Sequence, residues 1–258
     1  MRCLVSRVAT LALLLSSLAF CQEGFVHLLF KSPVTVNGIV LDSKGRPIPS
    51  VAIDYIAKET ELGISEDSVR TDATGRFHFQ TLAPAVVLRK NKFKSQLLRI
   101  VDGMGDATVV METAALPEET PECKSDTKCL SLRWGIFCMP RLKGVEAGAA
   151  GGSVDAIERT FATNTASGRS EMIHGTGPSW GGPYSRSREV WGSEQFEEHT
   201  RKLQNVVLVD ARGAASNGKL WRSVGVSGES VSYFDLEPDA AVVFDRLLDG
   251  MCLRTSHR

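Results

Sequence analysis

The chain has 258 residues, of which 43% are apolar and 23% are charged. That length accommodates two ordinary domains, and that balance is typical of globular rather than disordered proteins. Basic and acidic residues are equally numerous, 30 of each, so the formal net charge is zero. Because nucleic-acid binding relies on a strongly basic surface, the composition predicts no nucleic-acid partner.

The N-terminus has the three-part layout of a secretory signal peptide. Arg2 and Arg7 supply positive charge, and an apolar run extends over Val8–Phe20. Cleavage after Ala19 and cleavage after Cys21 both place small residues where signal peptidases require them. The apolar run is shorter than the roughly 20 residues that span a bilayer. We therefore expect this segment to be removed, which leaves no transmembrane span.

We therefore expect the mature chain to be secreted, periplasmic or in the cell envelope. Loss of Arg2 and Arg7 leaves a net charge of −2. A lipoprotein acylated at Cys21 fits poorly, because that site requires a small preceding residue and Phe20 stands there. An uncleaved N-terminal anchor is the remaining alternative.

Short runs of β-forming residues, separated by polar turn clusters, dominate the chain from residue 34 to residue 112. This regular spacing predicts a β-sandwich. Alternation in RFHFQTL places Phe77 and Phe79 on one face and His78 on the other, so both phenylalanines are expected in the core. The predicted strands are Val34–Leu41, Val51–Ala57, Ser68–Thr71, Arg76–Leu82, Ala85–Lys90, Gln96–Val101 and Thr108–Met111.

Two stretches in this region carry the same turn chemistry. In GIVLDSKGRPIP, Asp42 can accept hydrogen bonds from backbone amides two or three residues further on. Gly45 supplies a positive φ, and Pro47 ends the strand pairing. In TDATGRFHF, Asp72 and Gly75 repeat this arrangement. None of these residues is a nucleophile, a general base or part of a metal cluster, so we expect them to act in folding.

Both stretches resemble the signature of the carboxypeptidase regulatory-like domain, a transthyretin-like β-sandwich. The resemblance covers about 80 of the 258 residues. It implies a seven-stranded Greek-key sandwich that serves as a non-catalytic accessory module, often likened to carbohydrate-binding sandwiches. The chain departs from the family where Ala85 follows Pro84 in place of glycine. The matching residues are Gly38, Val40, Asp42, Gly45, Pro47 and Val51 in the first motif and Thr71, Asp72, Gly75, Phe77 and Phe79 in the second.

A linker is predicted where TAALPEETPECKS combines prolines with acidic residues. The predicted organisation is therefore a signal peptide (residues 1–21), the regulatory-like sandwich (22–112), the linker (113–125) and a second domain (126–258). The arrangement VVLVDARG…GKLWR…GES in that domain resembles those of uncharacterised secreted bacterial proteins, which adds a location and no chemistry.

The start of the second domain is predicted to mix strands with loops and helical segments. Leu130–Met139 is apolar and predicts a strand, whereas GVEAGAAGGS predicts a loop. SVDAIERTF is compatible with a short helix, although it lacks the capping box. Residues 163–188 are rich in glycine, serine and arginine and predict a long loop. Glu194–Gln204 is polar and permits a helix.

The end of the chain has clearer signals. The Asn-Gly turn in ASNGK predicts a hairpin between Val206–Asp210 and Leu220–Val226. Ser230–Leu236 predicts a further strand. In EPDAAVVFDRLLDG, the proline at the start and the glycine at the end bound a helix. Its apolar face is predicted to hold Val243, Leu247 and Met251. The second domain is therefore expected to be α+β.

Four cysteines remain after removal of the signal peptide, namely Cys123, Cys129, Cys138 and Cys252. In an exported chain, an even number predicts two disulfides, with three pairings open. Zinc sites use closely spaced cysteine pairs, and these intervals are longer. The five histidines are scattered and form no metal-binding motif. We therefore predict no metal and no other cofactor.

The loop HGTGPSWGGPYSR is the candidate ligand surface, with His174, Trp180, Tyr184 and Arg186 as its contact residues. Aromatic side chains on long loops are common contacts for sugars and proteins. The alternative is that Trp180 folds back onto its own core. The sequence thus predicts a non-enzymatic accessory protein that binds a cell-envelope glycan or protein, and it leaves the oligomeric state open.

A secreted hydrolase with its site in residues 123–252 is the alternative function. VGVSGES contains Gly225 and Ser227, but Glu229 stands where a nucleophile elbow requires glycine. HGTG imitates an oxyanion-loop motif without the expected triad order behind it. A cluster of His174 with Asp210 or Glu229 beside a serine would favour the hydrolase over the accessory protein.

Overall fold

The computed structural model describes residues 32–60, 63–114, 118–119, 129–130, 135–153, 155–177, 193–203, 206–226 and 228–254. Over these ranges the fold is mainly β, as the sequence predicts, with a single helix. No helix in the described part of the chain is long and apolar enough to cross a membrane. The chain divides into two compact units. The first ends at residue 110 and the second follows it, except that residues 90–96 belong to the second unit.

The first unit contains seven strands in two sheets. The three-stranded sheet has the order β4-β1-β7 and the four-stranded sheet the order β3-β2-β5-β6, so the chain crosses between sheets after β1, β3, β4 and β6. This is the predicted β-sandwich. The strands are β1 (Val34–Asp42), β2 (Ala52–Thr60), β3 (Gly63–Arg70), β4 (Arg76–Thr81), β5 (Ala85–Arg89), β6 (Gln96–Arg99) and β7 (Ala107–Met111).

Aromatic residues fill the space between these two sheets. Alternation along β4 buries Phe77 and Phe79 and exposes His78. Tyr55, on β2 in the other sheet, stacks on Phe79 with 4.8 Å between ring centroids. Gly38 on β1 has no room for a side chain, because a Cβ would lie 2.4 Å from the carbonyl oxygen of Ala107. The predicted core phenylalanines are therefore confirmed.

The two turn motifs of the first unit have nearly the same geometry. Asp42 Oδ1 accepts the backbone N–H groups of Lys44 and Arg46, each at 2.9 Å. Asp72 Oδ1 accepts those of Thr74 at 2.8 Å and Arg76 at 2.9 Å. The hydrogen bond from the Arg46 amide, more than any other interaction, lowers the pKa of Asp42, and the Arg76 amide does the same for Asp72.

Glycine is needed at both turns because of the backbone conformation, and at position 75 also because of a close contact. Gly45 and Gly75 have positive φ values of 77° and 75°, as predicted, which disfavours any residue with a side chain. A Cβ at position 75 would also lie 2.7 Å from the carbonyl oxygen of Val40. Pro47 forms an isolated bridge to Leu41 just after the first turn.

The second unit is built on an eight-stranded sheet with the order β11-β12-β13-β17-β16-β15-β14-β8. Neighbouring strands are antiparallel except for β14 and β8, which are parallel. The strands are β8 (Glu118–Glu119), β11 (Val145–Gly152), β12 (Ile157–Thr165), β13 (Gly168–Thr176), β14 (Ser193–Leu203), β15 (Val206–Ala215), β16 (Leu220–Val226) and β17 (Glu229–Leu236).

A small sheet and the helix complete the second unit. The small sheet has the order β18-β10-β9, made of β9 (Cys129–Leu130), β10 (Phe137–Pro140) and β18 (Cys252–Leu253). Helix α1 extends over Pro238–Asp249 and begins with the predicted proline. Its buried residues pack with the apolar residues of the large sheet, including Met172, Val224 and Val231. The buried residues of α1 are Ala240, Ala241, Phe244, Leu247 and Leu248.

Four local predictions for the second domain were wrong, because each expected a loop or a helix where the structure has a strand. GVEAGAAGGS is strand β11, and SVDAIERTF leads into strand β12. The predicted helical segment at Glu194–Gln204 is strand β14, and the first part of the predicted loop at 163–188 belongs to β12 and β13. In each case backbone pairing with a neighbouring strand overrides the local preference. The hairpin of β15 and β16, strand β17 and the final helix are confirmed. Of the predicted apolar face of the helix, Leu247 is buried, whereas Val243 is only half-buried and Met251 lies beyond the helix end.

Candidate functional site

Of the four residues of the predicted ligand surface, the structure describes only His174. His174 lies in strand β13, and its side chain is completely buried. Its prediction as an exposed loop contact was therefore wrong. Trp180, Tyr184 and Arg186 lie outside the described residues, as do Cys123 and Ser227. Cys138 and Cys252 lie opposite each other across β10 and β18, and both are buried.

His174 instead forms a buried pair with Glu229. The Nε2–H of His174 donates to Glu229 Oε1 at 2.8 Å, because a carboxylate can only accept. The pairing of β13 with β17 places Thr176 opposite Glu229. Since side chains alternate along a strand, His174 lies two residues away on the same face of the sheet. The geometry of the sheet therefore forms this pair.

Glu229 also holds the start of strand β10. Its Oε2 accepts the backbone N–H of Ile136 at 2.8 Å, and its Oε1 accepts that of Phe137 at 3.1 Å. Gly135 permits this approach, because a Cβ at that position would lie 2.7 Å from Oε1. A single buried carboxylate thus binds a histidine on one strand and two amides of another.

The second ring nitrogen of His174 is left without a hydrogen bond. Its Nδ1 is buried and has no partner among the described residues. Ser230 and Ser232 pair with Gly175 and Ile173, so their side chains lie on the opposite face of the sheet. The pair of His174 with Glu229 that would favour a hydrolase is therefore present, whereas the adjoining serine is not found in the described part of the chain.

A second polar cluster joins helix α1 to the sheet. The guanidinium of Arg222 donates to Asp210 twice, from Nε to Oδ1 at 2.9 Å and from Nη2 to Oδ2 at 2.8 Å. It also reaches Asp245 at 3.0 Å and Asp249 at 2.8 Å, two acids one turn apart on α1. Tyr233 donates its hydroxyl to Asp245 at 3.0 Å. The cluster therefore bridges β15, β16, β17 and the helix.

Electrostatics fix the ionisation of this cluster. Burial by itself would raise the pKa of Asp210, but hydrogen bonds and charge from Arg222, with the charge of Arg201, hold it below its usual range. Burial would lower the pKa of Arg222, yet its carboxylate partners raise it. Burial and the charge of Asp245 raise the pKa of Tyr233. These pKa shifts keep Asp210 and Arg222 charged and the Tyr233 hydroxyl protonated at neutral pH.

Sequence reasoning missed most of this second cluster. Arg222, Asp245 and Asp249 carried no motif, although an arginine inside an apolar strand and two acids spaced one helical turn apart are a usable signal. Sequence reasoning did name Asp210 and Glu229 as partners to look for around His174. Among the described residues, no group of three or more His, Cys, Asp or Glu side chains could hold a metal ion.

Comparisons with known proteins do not assign this chain to a family. No family model and no curated protein matches it. Among solved structures, 3-chlorocatechol 1,2-dioxygenase from Rhodococcus opacus is 13% identical with a TM-score of 0.27, and the match covers 33% of this chain and 61% of that one. A streptococcal ancillary pilin is 10% identical with a TM-score of 0.24, covering 56% of this chain and 53% of that one. Neither likeness is close enough to support an argument.

We expect Glu229→Gln to destabilise the second unit by about 1–3 kcal/mol. A glutamine side chain offers one acceptor oxygen, and its amide group would face a backbone or imidazole donor. Urea unfolding of the purified mature chain measures the effect. Glu158→Gln, at an exposed position of the same sheet, is the matched control and should change stability by less than about 0.5 kcal/mol. Equal stabilities of the two variants would contradict the role assigned to Glu229.

Proposed function

We propose that this protein is an exported accessory protein of the cell envelope that binds a carbohydrate or protein partner and has no catalytic activity of its own. The observation that carries the proposal is the use made of its buried charged groups. Asp210, Arg222 and Glu229 are all engaged within the chain, where they join a helix and a strand to the main sheet. The contacts of these three side chains therefore stabilise the fold.

The first unit supports the same proposal. Its distinctive residues form turns or fill the space between two sheets, as Asp42, Asp72 and Phe79 illustrate. This arrangement is what the resemblance to carboxypeptidase regulatory-like domains leads us to expect of a non-catalytic sandwich. We therefore propose that the first unit belongs to that family and acts as an accessory module.

A glycan array with the mature protein tests the binding proposal. We expect retention on envelope-type glycans and at least about a tenfold loss of affinity in Trp180→Ala, because an aromatic anchor typically contributes more than 1 kcal/mol. Val242→Ala removes an exposed apolar side chain from α1 and serves as the control. Unchanged binding by Trp180→Ala would contradict the predicted ligand surface, and a protein partner would leave the array without signal.

The hydrolase remains a second candidate because His174 and Glu229 form a carboxylate–imidazole pair. Chromogenic esters and glycosides are suitable probes. We expect the wild-type protein and His174→Gln to show the same background rate, since Nδ1 has no hydroxyl partner among the described residues. Turnover by the wild-type protein that disappears in a folded His174→Gln variant, as judged by circular dichroism, would establish the hydrolase instead.

We further propose that the mature chain is exported and that its four cysteines form two disulfides. Cys138 and Cys252 are both buried and lie opposite each other on β10 and β18, a placement that supports this proposal. The intact mass of the secreted protein should rise by four hydrogens on reduction, and its N-terminus should be residue 20 or 22. Peptide mapping without reduction would identify which pairing forms. Four alkylatable thiols before reduction would contradict the proposal.

A further inference from the structure

One edge of the eight-stranded sheet has no further strand on it in the described part of the chain. Strand β11 is the last strand of that sheet, and β12 is its only neighbour among the described strands. Every residue from Glu146 to Gly152 is exposed. An open edge offers a row of backbone N–H and C=O groups that can pair with another strand.

The hydrogen-bonding pattern identifies which groups of β11 point outward. The N–H of Ser153 donates to the carbonyl oxygen of Ala156 at 2.8 Å, which marks a hydrogen-bonded pair at the turn. In an antiparallel ladder such pairs alternate with pairs whose backbone groups point away. Following the register from this turn, Gly152 and Ala150 direct their N–H and C=O groups outward.

The pattern changes phase at a bulge in the middle of the strand. The register with β12 shifts between Ala147 and Ala150. Beyond the shift, Ala147 and Val145 are the outward-pointing residues, and the N–H of Val145 is already taken by the carbonyl oxygen of Leu142 at 3.3 Å. The outward-pointing positions are therefore 145, 147, 150 and 152, which are symmetric about the bulge.

The composition of β11 leaves this edge unprotected. Natural edge strands usually carry lysine, proline or inward-facing charge that discourages pairing. The strand β14 near the opposite edge, SEQFEEHTRKL, is rich in charge and is partly covered by β8. In contrast, β11 reads VEAGAAGG, with Glu146 as its one charged residue. The two sides of the same sheet are thus built differently.

The symmetry of the outward groups selects the partner strand. In a regular strand the groups that can pair recur at every second residue, so they would match the outward-pointing groups of only one half of β11. A second copy of β11, placed antiparallel about a two-fold axis, stays in phase along its whole length when Ala147 faces Ala150 of the partner subunit. In that register Glu146 faces Gly151 of the partner subunit, so no like charges meet.

We propose that two copies of this chain associate through β11, so that one antiparallel sheet continues through both subunits. The interface is isologous, because each contact is repeated by the two-fold axis. It forms mainly through backbone hydrogen bonds, and the small side chains of β11 allow the close approach. This association is independent of the function proposed above.

Analytical ultracentrifugation of the full mature chain tests the proposal. We expect a dimer at micromolar concentration and at least a tenfold increase in the dissociation constant for Ala147→Pro and for Ala150→Pro. Proline removes an outward N–H at these positions and leaves the ladder to β12 intact. Ala147→Ser and Ala150→Ser keep the N–H and should remain dimeric. A monomeric wild-type protein, or a dimer insensitive to both prolines, would overturn the proposal.

Hydrogen exchange of the wild-type protein provides a readout that does not depend on the folding of the proline variants. The amides of Ala147 and Ala150 should exchange slowly in concentrated solution and at least tenfold faster after dilution below the dissociation constant. The amide of Gly151 bonds to β12 and should not respond to dilution. Equal responses of Ala147, Ala150 and Gly151 would also overturn the proposal.

Discussion

Arg222 carries a full positive charge into the interior of the second unit, and the positions of the surrounding elements follow from the need to neutralise it. A buried charge without a partner destabilises a protein by several kcal/mol, so its carboxylate neighbours cannot move away. Asp210 supplies the bidentate contact from β15. Asp245 and Asp249 supply the contacts from α1. The orientation of the helix on the sheet is therefore set by charge as well as by apolar packing.

The same principle operates at Glu229, with a different consequence. Among the described residues, its carboxylate is bound by two backbone amides and by His174. The contact with His174 has the geometry of the orienting half of a catalytic pair. Catalysis also requires a reactive group within reach of the second ring nitrogen, and that nitrogen is buried without a described partner. The pair is better understood as the means by which β10 is attached to the sheet.

The two edges of the large sheet differ in how well they are protected against pairing with another strand. The edge near β14 combines charged side chains with a short parallel strand, and both features limit further pairing. Strand β11 has a single charged side chain and no covering strand among the described residues, and its bulge makes the outward-pointing backbone groups symmetric. Pairing of β11 between two subunits would therefore extend the large sheet of the second unit through the same kind of backbone hydrogen bonds that join its own strands.

The sequence by itself determined the features whose causes lie within a few residues. Asp42 with Gly45 and Asp72 with Gly75 form their turns locally, and the helix at Pro238 begins and ends at local signals. Only the tertiary structure decided that the glycine- and glutamate-rich segments are strands β11 and β14, because a neighbouring strand supplies their hydrogen bonds. It also decided the pairing of His174 with Glu229, 55 residues apart. Local sequence cannot encode such a contact, since it exists only once β13 and β17 lie side by side in one register.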